Sequence, residues 1–191
     1  MAAMSSTMIS LGTKAPPFNL PDTDGIYVSI KDFIDSQVLL VVFMCNHCPF
    51  VKHVLKELVK IIKEYQTKGV AAVAINSNDV ISYPQDSPEN MARLAKDYGF
   101  SFPYLYDESQ EIAKAYHAVC TPDFFLFDKK RRLVYRGQMD GSRPGNDIPV
   151  TGTDLKAAMD IVLNNSKISN NQKPSMGCSI KWKKGQPDYL V

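Results

Sequence analysis

Residues 38–50 read VLLVVFMCNHCPF: an unbroken apolar run of eight residues, 38–45, that closes on Cys45 and is followed by Cys48 and Pro49. Crossing a membrane takes about 20 apolar residues, so the run is a buried strand rather than a span. Past Pro49 the apolar positions fall at 51, 55, 58, 62 and 65, the four-three alternation of one helix face, and Gly69 ends it. Residues 70–75 (VAAVAI) are a second continuous apolar run. Strand, helix and strand in that order imply a right-handed crossover and a parallel pair of strands covered on both faces.

Working outward, Ser87-Pro88 has the form of a helix start, serine as N-cap and proline in the first turn, with Gly99 as the stop. A short helix is expected from Ser109 to about Tyr116. Two strands, 124–127 and 133–136, flank the charged turn 128–131 and form an antiparallel pair. Thr153 or Asp154 opens a last helix with Leu155, Met159 and Val162 on one face. Upstream, segments 18–20 and 26–28 around Asp24-Gly25 read as an N-terminal β-hairpin. The expected order is β-β-β-α-β-α-α-β-β-α, an α/β fold with a mixed sheet covered by helices on both faces. The domain is expected to occupy residues 1–165. Residues 164–174 are almost entirely polar, so 166–191 are read as a tail docked on that domain.

The chain has 191 residues, 45% hydrophobic and 22% charged, with 22 basic against 20 acidic side chains, hence a net charge of +2. That balance argues against a nucleic-acid footprint, which needs a clustered basic face. Lys181, Lys183 and Lys184 near Trp182 are too few for one and read as a solvated face. The first ten residues lack a basic region and an apolar core of signal-peptide type, so the expected setting is the cytoplasm, away from the membrane. In that reducing compartment a close cysteine pair is more often catalytic or metal-binding than structural.

The pair at Cys45 and Cys48 lies where the first parallel strand ends and a helix begins. Chemistry in open α/β sheets gathers at the carboxyl ends of strands, and a helix N-terminus offers free N–H groups and partial positive charge. A thiolate is stabilised there, so the cysteine nearest the helix start is expected to ionise near neutral pH. Pro49 suits the first helical turn, and Asn46 and His47 stand ready to tune the thiolate, His47 by a positive charge or a donor. The competing readings are a metal site, with His53 as a third ligand, and an inert pair. Structural zinc wants a second close pair, Cys120 and Cys178 stand 58 positions apart, and His53, off the apolar stripe among Lys52, Lys56 and Glu57, suits a solvated face. No metal or organic cofactor is expected; a redox-active disulfide is enough.

The C-x-x-C after the first core strand, Thr121-Pro122 before the third, and the order of elements resemble the thioredoxin superfamily. The hairpin and the insert between Asn76 and Ser87 are similar to its redoxin branch, the alkyl hydroperoxide reductase and thiol-specific antioxidant (AhpC/TSA) proteins. The resemblance implies a thioredoxin-like fold over residues 10–165, Cys45 as attacking and Cys48 as resolving thiol, and Pro122 as a cis-proline that with Thr121 seats substrate. It implies disulfide exchange with a protein or small-molecule disulfide and regeneration by an external dithiol. Peroxiredoxins place a threonine three residues before a peroxidatic cysteine followed by proline. Here Cys48-Pro49 match that cysteine, Cys45 occupies the threonine position, and Arg143 is the one arginine placed to assist. A thiol peroxidase acting through Cys48 is therefore the alternative enzyme. A metal-binding or redox-inert module is the non-enzymatic alternative.

Two further cysteines remain. Cys120 precedes Thr121-Pro122 and is either a third redox thiol or a small buried apolar residue. Cys178 sits in a segment, 177–182, that resembles one in bacterial thioredoxin-like proteins. Ile180 and Trp182 alternate with polar residues as in an edge strand, and Trp182 can anchor the tail. If the tail docks near the active pair, Cys178 resolves or relays the disulfide. His117 reads as a cap or surface residue.

Overall fold

The computed structural model describes residues 3–185. The strands before the quoted stretch are β1 (Ala3–Ser5), β2 (Asn19–Pro21) and β3 (Tyr27–Ser29). The central unit is β4 (Val38–Phe43), α1 (Pro49–Gln66) and β5 (Val70–Asn76). Then follow α2 (Pro88–Tyr98), β6 (Tyr104–Tyr106), α3 (Glu111–Ala115), β7 (Cys120–Thr121), β8 (Asp123–Phe127), β9 (Leu133–Gly137), α4 (Thr153–Leu163) and β10 (Met176–Ser179).

Five strands form the core sheet in the order β6-β5-β4-β8-β9. β4 pairs in parallel with β5, and β5 with β6, while β8 runs antiparallel to both β4 and β9. Period-two alternation sorts β4 between the two faces. Val38, Leu40 and Val42 join the core made by α1, α2 and α4; Leu39, Val41 and Phe43 join the one made by α3 and the N-terminal segment around Phe18 and Leu20. Helices therefore cover both faces. The predicted stripe of α1 is buried at 51, 55, 58, 62 and 65 and widened by Val54, Val59 and Ile61. Removing a large apolar side chain from water yields about 1.5–3 kcal/mol, so this one stripe anchors the helix firmly. Among the described residues no helix is long and apolar enough to cross a membrane.

Local signals act as expected at several ends. Ser87 caps α2 by accepting from the N–H of Asn90 at 3.4 Å, and Gly99 closes it in the left-handed conformation, φ 63°. β2 and β3 form the N-terminal hairpin. The strands missing from the expected order, β1, β6, β7 and β10, span two to four residues each and are too short to show a period. In the tail, the strand falls at Met176–Ser179 rather than along 179–182, and it is not an edge: β10 lies between β1 and β7. Trp182 packs half-buried against the second core. Lys181 is buried, its Nζ donating to the Ser179 carbonyl at 2.6 Å, where the sequence suggested a solvated side chain.

Gly177 makes the close approach of β10 to β7 possible. A Cβ at that position would lie 2.0 Å from the carbonyl oxygen and 2.5 Å from the carbonyl carbon of Thr121, both backbone atoms that cannot swing aside. Gly177→Ala is therefore expected to displace the strand and destabilise the protein by about 1–3 kcal/mol, as overpacking does. Thermal melting together with limited proteolysis of the segment after residue 165 checks this. An unchanged melting point with an equally protected tail would contradict it.

Candidate active site

Cys45 follows the last residue but one after β4, and Cys48 is the N-cap of α1 with Pro49 in the first turn. Both are buried, at 1% and 0% exposure, and in this structure all four cysteines are free thiols. The predicted Thr121 and Pro122 stand against them, joined by a cis peptide bond. The Sγ of Cys45 lies 3.4 Å from the Thr121 hydroxyl, and the S–H of Cys48 donates to the Thr121 carbonyl at 3.1 Å. One residue thus engages both sulfurs, across 76 and 73 positions of chain.

The two thiols differ in electrostatics. The Cys48 pKa is pushed down to about 4, chiefly because the Cys45 S–H donates to it, with the Cys178 S–H and the N–H of Val51 in the first turn of α1 acting the same way against burial. Cys45 is raised well above an ordinary thiol by that donation, by burial and by the negative charge of Asp86. When Cys48 ionises it gives up its bond to the Thr121 carbonyl and accepts from its neighbours. The thiolate is thus favoured at Cys48, the sulfur at the helix start, and disfavoured at Cys45, where burial and Asp86 add to the effect of the shared hydrogen bond.

Asp86, which the sequence did not single out, organises the loop. It sits in a 3₁₀ turn (Pro84–Asp86) within the insert after β5 and is fully buried. Its Oδ1 accepts from the N–H groups of Asn46 (2.8 Å) and His47 (3.1 Å), and its Oδ2 contacts His47 Nδ1 (2.6 Å) and accepts from Asn78 Nδ2 (2.8 Å). Asn46 turns its amide to the Gln85 carbonyl and takes the Tyr104 hydroxyl at 3.1 Å. The His47 ring stacks on Tyr83 at 5.3 Å. Neither Asn46 nor His47 hydrogen-bonds a sulfur through its side chain; they act on the thiols through Asp86. The only clue in the sequence was position, an acid just past the carboxyl end of a parallel strand.

Among the described residues, Cys45, His47 and Asp86 form a group whose ligand atoms lie within 4.8 Å of one another, the one set that could hold a metal ion. Both Asp86 oxygens are already engaged by two groups each, so a cation would have to break the loop's own bonds. His53 is tied elsewhere, its Nε2 2.7 Å from the Ser142 hydroxyl in the 138–152 loop, rather than solvated. Arg143 donates to Gln138 Oε1 and to the Asp140 and Ser142 carbonyls. Cys120 is buried in β7, and burial first of all raises its pKa well above that of a free thiol; its S–H donates to the Pro122 carbonyl at 3.8 Å. His117 is exposed.

A cysteine pair at a strand-to-helix junction, faced by a cis-proline peptide in a sheet of this order, defines a thiol–disulfide oxidoreductase of thioredoxin-like fold. Residues 11–136 match the AhpC/TSA family, and the chain belongs to that family. An uncharacterized conserved protein from Geobacillus kaustophilus shares 55% identity and a TM-score of 0.94, covering 96% of this chain and 98% of its own. A hypothetical protein from Sinorhizobium meliloti 1021 shares 50% identity, a TM-score of 0.94 and coverage of 95% and 99%. Among characterised relatives, the thiol-disulfide oxidoreductase ResA of Bacillus thuringiensis is 27% identical over 128 residues, 66% of this chain and 68% of the relative.

A second buried acid, Asp123, follows Pro122 directly. It is fully buried, and burial raises its pKa to about 8 against the opposing pull of the Ser6 hydroxyl and the N–H groups of Phe124 and Val119. An unfolded aspartate titrates near 3.9. Between about pH 4 and 8 the folded chain holds a proton that the unfolded chain has lost, so this residue costs stability as pH rises, by up to about 1.4 kcal/mol per pH unit. Asp123→Asn is expected to match the wild type near pH 4 and to exceed it increasingly toward pH 8. Denaturant unfolding at several pH values checks this, and a pH-independent difference would refute it.

Proposed function

We propose that the exchange runs through Cys48 as attacking thiolate and Cys45 as resolving thiol. The observation that carries the reading is the shared hold of Thr121 on both sulfurs, combined with the ionisation of Cys48 at the helix N-cap. The Cys48 thiolate attacks one sulfur of a substrate disulfide; the Cys48–substrate bond forms, the substrate S–S bond breaks, and its other sulfur leaves as a thiolate that takes up a proton. Cys45 then loses its proton and attacks the Cys48 sulfur. The Cys45–Cys48 disulfide forms, the remaining substrate thiolate departs, and the substrate is reduced by two electrons while the protein is oxidised by two. An external dithiol restores the pair, in a reducing, cytoplasmic setting.

Thr121 and Pro122 seat the substrate, and Pro122 borders a small cleft of mixed character, with Phe50 and Met176 beside His53, Gln138 and Arg143. Because both sulfurs are buried, the residues around them must move before a substrate disulfide can reach them. No cofactor enters this scheme.

The ionised Cys48 followed by Pro49 also favours a second reading, reduction of a peroxide at Cys48. Cys45 stands where a peroxide-binding hydroxyl would be needed, and three of the five Arg143 N–H groups already bond the 138–152 loop, so peroxide turnover should be the slower activity.

Insulin reduction and peroxide consumption, measured side by side, test this. Cys48→Ala is expected to abolish both, and Cys45→Ala to slow insulin reduction by about tenfold or more through loss of the placed resolving thiol. Alkylation of Cys48 as a function of pH should follow a group titrating near 4 in the wild type and rise toward an ordinary thiol in Cys45→Ala, where the S–H donor is gone. Activity surviving in Cys48→Ala would overturn the assignment.

A further inference from the structure

Cys178 belongs to the same core cluster as Cys45 and Cys48, yet it arrives from the far end of the chain. In the antiparallel ladder of β10 and β7 it stands opposite Thr121, the residue whose carbonyl accepts the Cys48 S–H at 3.1 Å. Its S–H favours the Cys48 thiolate, helping to lower the Cys48 pKa. The side chain is 3% exposed, so its position is set by neighbours rather than by solvent. Gly177 lets the strand press onto Thr121. On the C-terminal side the Ile180 N–H bonds the Val119 carbonyl at 2.9 Å, and Lys181 is held by Asn78 and Asp79 of the insert that carries Asp86. On the other flank, β1 pairs Ala3 with Cys178. Three thiols therefore share one buried cluster around Thr121, and the third is fastened from both sides.

We propose that Cys178 is a third redox-active residue that competes with Cys45 for Cys48, so that the protein has a second oxidised form with a Cys48–Cys178 disulfide. The inference rests on Cys48 acting as the attacking thiolate. Two routes lead to that form. From a mixed disulfide on Cys48, the Cys178 thiolate attacks the Cys48 sulfur, the Cys48–Cys178 bond forms, and the substrate sulfur leaves with the electron pair. From the Cys45–Cys48 disulfide, the same attack breaks the bond to Cys45, which leaves as a thiolate and takes up the proton that Cys178 released; this route involves no net oxidation or reduction. Burial and the contact with Cys48, whose negative charge adds to it, hold the proton on Cys178 while the pair is reduced, raising its pKa to about 12. Once the Cys48 sulfur is bonded that charge is gone, and the Lys181 ammonium favours the Cys178 thiolate. The tail thus supplies a second resolving group, and in the Cys48–Cys178 form it is covalently tied to the start of α1.

The experiment is disulfide mapping by mass spectrometry of the full chain treated with glutathione disulfide, in the wild type and in Cys45→Ala. Trypsin leaves Cys45 and Cys48 on one peptide and Cys178 on another, so a Cys48–Cys178 bond appears as a linked pair of peptides. Expected are both linkages in the wild type and, in Cys45→Ala, a glutathione adduct on Cys48 that gives way to the linked pair. A persistent adduct in Cys45→Ala with Cys178 still free, beside a wild type that forms Cys45–Cys48 alone, would overturn the role of Cys178 and leave the exchange reaction standing. A wild type that forms no bond to Cys48 at all would overturn both.

Discussion

Thr121 is the point on which the site depends. Its hydroxyl faces Cys45, its carbonyl takes the Cys48 S–H, its cis bond to Pro122 leads directly into β8 through Asp123, and its place in the ladder sets Cys178 opposite it. Buried sulfur is a weak hydrogen-bonding group and could be left to pack as a small hydrophobe. Here a single residue instead draws three sulfurs from three elements to one location, which converts inert burial into proximity. Proximity is what disulfide exchange needs, because each step is an attack of one sulfur along the bond of another.

Charge then divides the labour. The hydrogen bond between the two thiols, three residues apart, pushes them in opposite directions, and burial and the Asp86 carboxylate on the Cys45 side and a helix N–H on the Cys48 side add to the difference. The same carboxylate gathers the N–H groups of Asn46 and His47, and this accounts for a loop able to keep its shape while its sulfurs change partners. The insert holding Asp86 is itself bonded through Asn78 and Asp79 to Lys181. Tail, insert and cysteine loop therefore form one hydrogen-bonded assembly, and displacement of any of them is felt by the others.

Much of the architecture was legible because it rests on local rules. The stripe of α1, the two apolar strands around it, the Ser87 cap and the charged turn at 128–131 each follow from a period or a cap within a few residues, and the fold bears them out. The cysteine pair was legible for the same reason: its meaning lies in being placed between a strand and a helix. Of the short strands, β2 and β3 were found through the Asp24-Gly25 turn between them, while β6 and β7 were not, since two or three residues cannot display an alternation. Lys181 and His53 were read as solvated because each looks so among its sequence neighbours; backbone bonds to Asn78 and Asp79 of the insert hold one in place and a distant loop hydroxyl binds the other.

What the sequence determined by itself was therefore the covering of the sheet, the junction at residues 45–49 and the type of chemistry found there, all properties of contiguous residues. Only the tertiary structure brings an aspartate 41 positions after Cys45, and the S–H groups of neighbouring cysteines, to bear on the two thiols, which no spacing reveals. It alone decided the place of Cys178, since pairing β10 between β1 and β7 joins segments more than 50 and more than 170 residues apart. Electrostatic fields and strand ladders act through space, and the order of residues along the chain does not record which distant groups they will join.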